Sequence, residues 1–493
     1  MSLSYGQRRP FQPGTPLQIA DGQQLKGVDF SLPRGSVITG TVLDEDGDMM
    51  PGVDVRVLRY QFQQGERRLV ASGSGQTDDR GQYRVWGLMP GDYYVTATAR
   101  SNIFNFGGGR GPGPGPLQAV GRPGGGRGGG AGGAGNEDEQ LAYAPTYFPG
   151  VGSADEAKPV TVGLGQESVG INFNLLLVHT ARISGRVTNP DGSAATGGNV
   201  NLGSESGRAP LSGNLGGRIT ADGSFSIANV PPGRYVLRAR GQPPGVGRGG
   251  NRGQGAELPP FYGSLPLSVN GQDNDTVTVQ LAVGATISGA IVLPPGQTPP
   301  TEPMQMRVAA PSVDPDAFGG PSSNAPVDKD GHFTLTGVPE GPHLIRLTGG
   351  LRGMTLKSVT IGGRDVTDTP VPLRSGQHVT DVMIALTDRV AQLEGTVTNA
   401  QNAAASEYTM LVFPTDSTLW RPQSRQIQTT RPDQTGKFRI RGLPPGDYFL
   451  VAVDPAEPGE WFDPAYLEAQ KNGARRFTLG EGQTLTLDLK LKT

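Results

Sequence analysis

The chain has 493 residues, more than one ordinary domain holds, with 77 Gly, 43 Pro, 35% hydrophobic residues and no Cys. No Gly-X-Y period runs through it, which excludes a collagen-like rod, and the lack of Cys excludes disulfides, thiolate metal sites and a cysteine nucleophile. With 43 basic against 45 acidic residues the net charge is −2, so no overall field draws the chain to nucleic acid or an anionic membrane.

Three patterns recur in chain order. An opening segment reads SVITGTVLDEDGD from Ser36, ARISGRVTNPDGS from Ala181, ATISGAIVLPPGQ from Ala285 and AQLEGTVTNAQNA from Ala391. A central segment spans residues 77–99, 220–239, 327–347 and 432–452, and a closing segment spans 169–177, 275–283, 381–388 and 484–492. Such self-similarity is the signature of a repeat architecture. Four copies follow, at about 35–178, 179–283, 284–386 and 387–493.

Each central segment predicts two strands around turns. Tyr83/Val85, Phe225/Ile227, Phe333/Leu335 and Phe438/Ile440 are two residues apart and so face one side of a strand. Gly81, Gly223, Gly331 and Gly436 precede them, where a tight turn needs positive φ. After them come Met89-Pro90-Gly91-Asp92, Pro231-Pro232-Gly233-Arg234, Pro339-Glu340-Gly341-Pro342 and Pro444-Pro445-Gly446-Asp447. The Pro-Gly pairs predict type II turns, with Gly at the positive-φ position. Tyr93, Tyr235 and Tyr448 stand two residues beyond the turn glycine, as in a tyrosine corner. His343 takes that place in the third copy and also carries a donor. Short alternating strands with turns at regular intervals predict an all-β fold: a tandem array of four Greek-key β-sandwiches. One or two helical turns are expected near Tyr466–Lys471.

The pattern from Gly40–Val42 to Tyr93 resembles the carboxypeptidase regulatory-like domain. That resemblance implies transthyretin-like or Ig-like sandwiches, related to collagen-adhesin B-type repeats and the starch-binding-like fold. It also implies occurrence in large secreted or outer-membrane bacterial proteins. The matching positions are turn and core residues, so they specify fold and not chemistry.

Residues 12–33 look like the closing strands of a further repeat, so 1–34 reads as the tail of a truncated one. The alternative is strand addition to an open sheet edge, in this chain or another copy, with self-association through these strands. The first residues lack the apolar core of a signal peptide. Truncation accounts for that and leaves an extracytoplasmic location: periplasm, outer-membrane surface or secreted. No segment approaches the ~20 apolar residues of a spanning helix. The Gly-rich stretches 103–136 and 241–256 are expected to be flexible loops. Arg110, Arg122, Arg127, Arg248 and Arg252 give them an RGG look, yet no RNA-binding module accompanies them.

Chemistry is sparse. None of the four His residues, His179, His332, His343 and His378, begins a zinc motif, and no nucleophile elbow or P-loop is present. No catalytic residue is expected. Asp44, Asp46 and Asp48 offer closely spaced oxygens that would suit Ca²⁺, the one cofactor in view, but they equally suit an exposed turn. Aromatic pairs Tyr147-Phe148, Phe261-Tyr262 and Trp461-Phe462 fall in loops after the second central strand, with Asp463 and Asn251 nearby. They read either as loop anchors or as a platform for sugar rings, with Trp461 foremost and Trp420 a second exposed candidate. Trp86 lies in a strand and reads as packing. The expected function is a non-catalytic structural or adhesive envelope protein. Its alternatives are a carbohydrate-binding protein, the periplasmic extension of a larger outer-membrane protein, or a filament subunit built by strand donation. Expected partners are glycans or other envelope proteins.

Overall fold

The structure is a computed structural model. It describes residues 4–5, 14–29, 34–63, 65–99, 141–205, 215–242, 259–297, 306–314, 324–349, 353–454 and 457–491. The Gly-rich stretches, apart from residues 241 and 242, and with them Arg110, Arg122, Arg127, Arg248, Arg252 and Asn251, lie outside the described residues.

The fold is all-β, and each sequence repeat stacks two layers of strands, the second layer of the third repeat being split into two small sheets. In the first sheet the opening strand lies between the first central strand and the closing segment. Ser36–Leu43 pairs antiparallel with Gln82–Leu88 and parallel with Glu167–Ser168 and Phe173–Asn174. Ala181–Thr188 does the same with Ser224–Val230 and Asn274–Gln280. Ala285–Val292 pairs with His332–Val338 and His378–Thr387. Gln392–Thr398 pairs with Lys437–Arg441, Thr484–Thr486 and Leu489–Lys490. The second sheet carries the outgoing central strand; in the first repeat Asp54–Gln63 lies between Glu66–Gln76 and Gly91–Thr98. The two central strands therefore belong to opposite sheets, and the chain crosses the sandwich between them.

The packing follows from the alternation. Lys437–Arg441 reads exposed-buried-exposed-buried-exposed, and the apolar positions meet between the sheets. Four large clusters of buried apolar residues form, within residues 38–175, 181–281, 285–386 and 391–487. Ile38, Ile183, Ile287 and Leu393, equivalent in the repeats, are 0–1% exposed at their centres.

Two glycine positions recur for different reasons. Gly40, Gly185, Gly289 and Gly395 sit directly opposite Tyr83, Phe225, Phe333 and Phe438 on the neighbouring strand. A Cβ there would fall on the carbonyl oxygens of Ile171, Val277, Val382 and Leu487 in the parallel closing segment. Only a residue without a side chain lets the two backbones approach so closely, and the aromatic ring covers the gap. Gly81, Gly223, Gly331 and Gly436 adopt φ of 66°, 82°, 85° and 78°, as the turn required.

The Pro-Gly turns differ from expectation. Gly233 and Gly446 have no positive φ, and Gly91 and Gly341 lie at 148° and 133°, far from the roughly +80° of a type II turn. Each of these glycines already begins the outgoing strand, so its backbone is drawn toward extension. The left-handed residue stands four positions earlier in every copy: Gly87, Asn229, Gly337 and Gly442, at 77°, 57°, 71° and 80°. Asn229 is the one non-glycine, and Asn tolerates this region better than most residues.

The tyrosine corners form. The hydroxyls of Tyr93, Tyr235 and Tyr448 donate to the carbonyls of Met89, Pro231 and Pro444 at 2.6, 2.9 and 2.6 Å. Burial raises all three phenol pKa values, that of Tyr235 to about 12, so each stays a donor at neutral pH. His343 is buried and its Nδ1 donates instead to Ala310, at 2.8 Å. The expected helix appears as Pro464–Gln470, capped by Asp463.

The expected closing strands of the N-terminal tail are absent from residues 14–29, which contain no strand. Each of the four opening strands already holds its own closing segment, so the tail finds no free partner there. Its link is reciprocal: Gln18 N–H donates to Gln434 Oε1 and Gln434 Nε2 to the Gln18 carbonyl, both at 3.3 Å. Among the described residues no helix is long and apolar enough to cross a membrane.

Candidate functional site

The acidic run from Asp44 to Asp48 forms a hydrogen-bonded turn. One oxygen of Asp44, Oδ1, accepts from the backbone N–H of Asp46 and Asp48 at 3.0 and 2.8 Å. Gly47 takes φ 89°, and the segments on either side bridge at Leu43 and Met49. The carboxylate that should lead a Ca²⁺ site thus satisfies its own backbone, and Glu45 accepts from Tyr143 Oη at 2.5 Å. Among the described residues no three His, Cys, Asp or Glu converge on one point. Asp44, Asp46 and Asp48 thus serve a hydrogen-bonded turn, the second of the two roles their spacing suits.

The aromatic pairs pack and do not form a common platform. Tyr147 is 6% exposed and buries against Leu58 and Leu69. Phe148 is half-buried, edge-on to Phe173 at 6.2 Å. Phe261 and Tyr262 begin the strand Phe261–Val269 rather than occupying a loop, because they pair with Gly241 and Arg240. Trp461 and Phe462 occupy the 3₁₀ turn Glu460–Phe462 and lean, half-buried, on a second apolar cluster of Leu411, Phe413, Ile427 and Leu467.

Both remaining tryptophans reverse their expected roles. Trp420 is 6% exposed: its Nε1 donates to the Pro414 carbonyl at 2.8 Å and its ring meets Phe413 edge-on at 5.7 Å. Asp416 is the cause, since its side chain accepts from Thr418 N–H, caps the turn Ser417–Leu419 and swings the following Trp inward. Trp86 is 72% exposed. It follows inward-facing Val85, so the period of two turns it outward. Opposite it stands Val37, and next along its strand Arg84 Nε lies 3.7 Å from Glu167 Oε1. The equivalent positions hold Ala228, Thr336 and Arg441, so this aromatic belongs to the first repeat alone.

A buried polar cluster joins the third and fourth repeats. Asp368 accepts from Arg425 through both carboxylate oxygens, each at 2.9 Å, and from Arg346 at 3.4 Å. Arg425 Nη1 also donates to the Leu356 carbonyl at 2.6 Å, and Gln423 reaches the Ser312 carbonyl at 3.3 Å. Burial alone would raise the Asp368 pKa, but the two guanidiniums outweigh it and hold the carboxyl below its usual range.

Residues 37–102 match the carboxypeptidase regulatory-like domain family. The match takes in the opening strand, the first central strand and the tyrosine corner of the first sandwich, and the later repeats carry the same glycine, aromatic and corner pattern. No curated protein matches the chain in sequence. Among solved structures the chain is similar to the Bacillus anthracis TIE protein, at 10% identity over 92% of this chain and 73% of that one, with a TM-score of 0.16. It is also similar to a Streptococcal ancillary pilin, at 12% identity over 63% and 99%, and to a minor pilin of Streptococcus agalactiae, at 10% over 42% and 95%; the TM-score is 0.20 for each.

Proposed function

We propose that this chain is a non-catalytic structural or adhesive protein of the bacterial cell envelope or exterior, built of four tandem sandwiches divided at about 178, 283 and 386. One observation carries the reading. The residues repeated from copy to copy are all used by the fold: glycines for close strand approach, aromatics covering them, corner residues bonded to main chain. What selection of such residues maintains is a set of folded beads, and their loops are the variable part. Fractionation of the source bacterium is the test: recovery in the envelope or culture fluid is expected, and recovery with cytosolic markers overturns the proposal.

A second reading, glycan binding, is favoured by Trp86 specifically. An indole held on a strand gives a rigid apolar face, and Arg84, Glu167 and Thr39 beside it supply donors and acceptors for hydroxyls. Titration of neutral oligosaccharides against tryptophan fluorescence is expected to give a change that Trp86→Ala abolishes and Trp461→Ala leaves intact. No response in the wild type across the set removes this reading.

A further inference from the structure

The hairpin of the first repeat is longer than its sheet. Asp54–Gln63 pairs with Glu66–Gln76 from Asp54 to Gln63, but with Gly91–Thr98 only from Asp54 to Leu58. Tyr60 and Leu69 still pack on Tyr94 and Tyr147 of the same repeat, and beyond that pair the hairpin projects as a two-stranded tongue. Among the described residues the corresponding pairs in the other repeats are shorter: Gly198–Ser204 with Gly216–Arg218, Arg307–Ala309 with Asn324–Pro326, and Thr409–Pro414 with Gln428–Thr430. An isolated two-stranded hairpin is marginal in water, so the tongue needs something to pack on.

The fourth repeat carries a complementary feature. Its excursion from Glu457 through the turn Glu460–Phe462 to the helix Pro464–Gln470 contains the one α-helix among the described residues. The excursion is acidic, with Glu457, Glu460, Asp463 and Glu468, while the tongue is basic on balance, with Arg59, Arg67 and Arg68 against Glu66, which pairs with Arg68. Arg59 pairs with Glu457. Two glycines allow the backbones to meet reciprocally: a Cβ on Gly65 would lie 3.0 Å from that of Phe462, and one on Gly459 would lie 3.3 Å from that of Phe62. Both glycines are left-handed, at φ 86° and 90°. Burial, and the neighbouring carboxylates of Glu457 and Asp463, raise the Glu460 pKa, while Arg67 lowers it.

We infer that the tongue of the first repeat and the acidic excursion of the fourth are a dedicated docking pair, which closes the chain on itself in cis. Among the described residues, the long paired hairpin is found in the first repeat and the helical excursion in the fourth, and their charge and glycines fit each other. Closure makes the array compact instead of rod-like and covers part of the Glu457–Phe462 surface. Cis contact is favoured because both surfaces are on one chain, at an effective concentration on the order of millimolar if the intervening repeats allow the approach. The inference goes beyond the structural reading and holds or fails independently of where the protein resides.

The native chain has no cysteine, so a single engineered pair is unambiguous. Phe62→Cys with Gly459→Cys brings the two Cβ atoms close to the separation of about 3.8 Å found in disulfides. Mild oxidation of the full chain is expected to give a monomer of altered mobility on a non-reducing gel. Glu457→Arg in that background is expected to slow cross-linking roughly tenfold, the factor equivalent to 1.4 kcal/mol. Cross-linked dimers alone, or no cross-link, overturn closure in cis. Because Cys at position 459 is strained, the cysteine-free chain supplies a second measurement. X-ray scattering should show a larger radius of gyration for Glu457→Arg than for wild type, with circular dichroism unchanged; equal radii overturn the inference.

Discussion

Gly289→Ala is expected to destabilise the third sandwich by about 3 kcal/mol, although it adds only one methyl group. Gly289 lies in the middle of the opening strand Ala285–Val292, opposite Phe333 on one side and Val382 on the other. Its new Cβ would fall on the Val382 carbonyl oxygen, a backbone atom that cannot rotate away. The strand cannot retreat, because the opposite side is hydrogen-bonded to His332–Val338. Elsewhere in a strand, Gly→Ala would gain stability through the unfolded chain, so the sign itself is diagnostic. Gly473→Ala is the control: no atom lies within 4 Å of the added carbon, and φ is not positive. Urea unfolding should separate the two variants by most of the expected loss. A Gly289→Ala midpoint equal to that of Gly473→Ala would mean that opening and closing strands are not packed so closely. The same result is expected at Gly40, Gly185 and Gly395, whose added methyls meet Ile171, Val277 and Leu487.

These glycines also mark what the sequence reveals. The repeats, the inward aromatics and the corner tyrosines depend on short-range spacing, and each lies where the spacing requires. The left-handed residue stands elsewhere than the Pro-Gly pairs suggest, for a local reason. Pro-Gly suggests a type II turn, but Gly91, Gly233, Gly341 and Gly446 begin strands, and the turn is made at Gly87, Asn229, Gly337 and Gly442. Trp86 was legible: applied one residue beyond Val85, the alternation already turns it outward. Trp420 was not, because its burial depends on an Asp416 cap that reverses the chain under a polar-looking segment. The joint between the third and fourth repeats was equally hidden. Asp368 meets Arg346 and Arg425 across 22 and 57 residues, and no periodicity links them. Long-range ion pairs leave no pattern in a single sequence.

That joint gives the other large expected effect. Asp368→Ala removes the one carboxylate bonded to Arg346 and Arg425 among the described residues and leaves two guanidiniums partly buried, with side chains 17% and 18% exposed. Breaking a buried pair by deleting one partner costs about 3–5 kcal/mol, because the remaining charge keeps its desolvation penalty without its counterion. Arg346 belongs to the third repeat and Arg425 to the fourth, so the loss falls on their coupling as well as on their folds. Calorimetry should show the two units melting together in the wild type and apart in the variant; an unchanged thermogram would show that the cluster couples nothing. The pH dependence has a definite sign. Since the Asp368 pKa is lower folded than unfolded, its contribution is fully present above the unfolded value of about 3.9 and is lost as pH falls through the folded value. The stability difference between wild type and Asp368→Asn should therefore be constant from pH 7 down to about pH 5 and shrink below pH 4. A gap that instead persists undiminished below the folded value would attribute the effect to shape and hydrogen bonding, with no part for the charge.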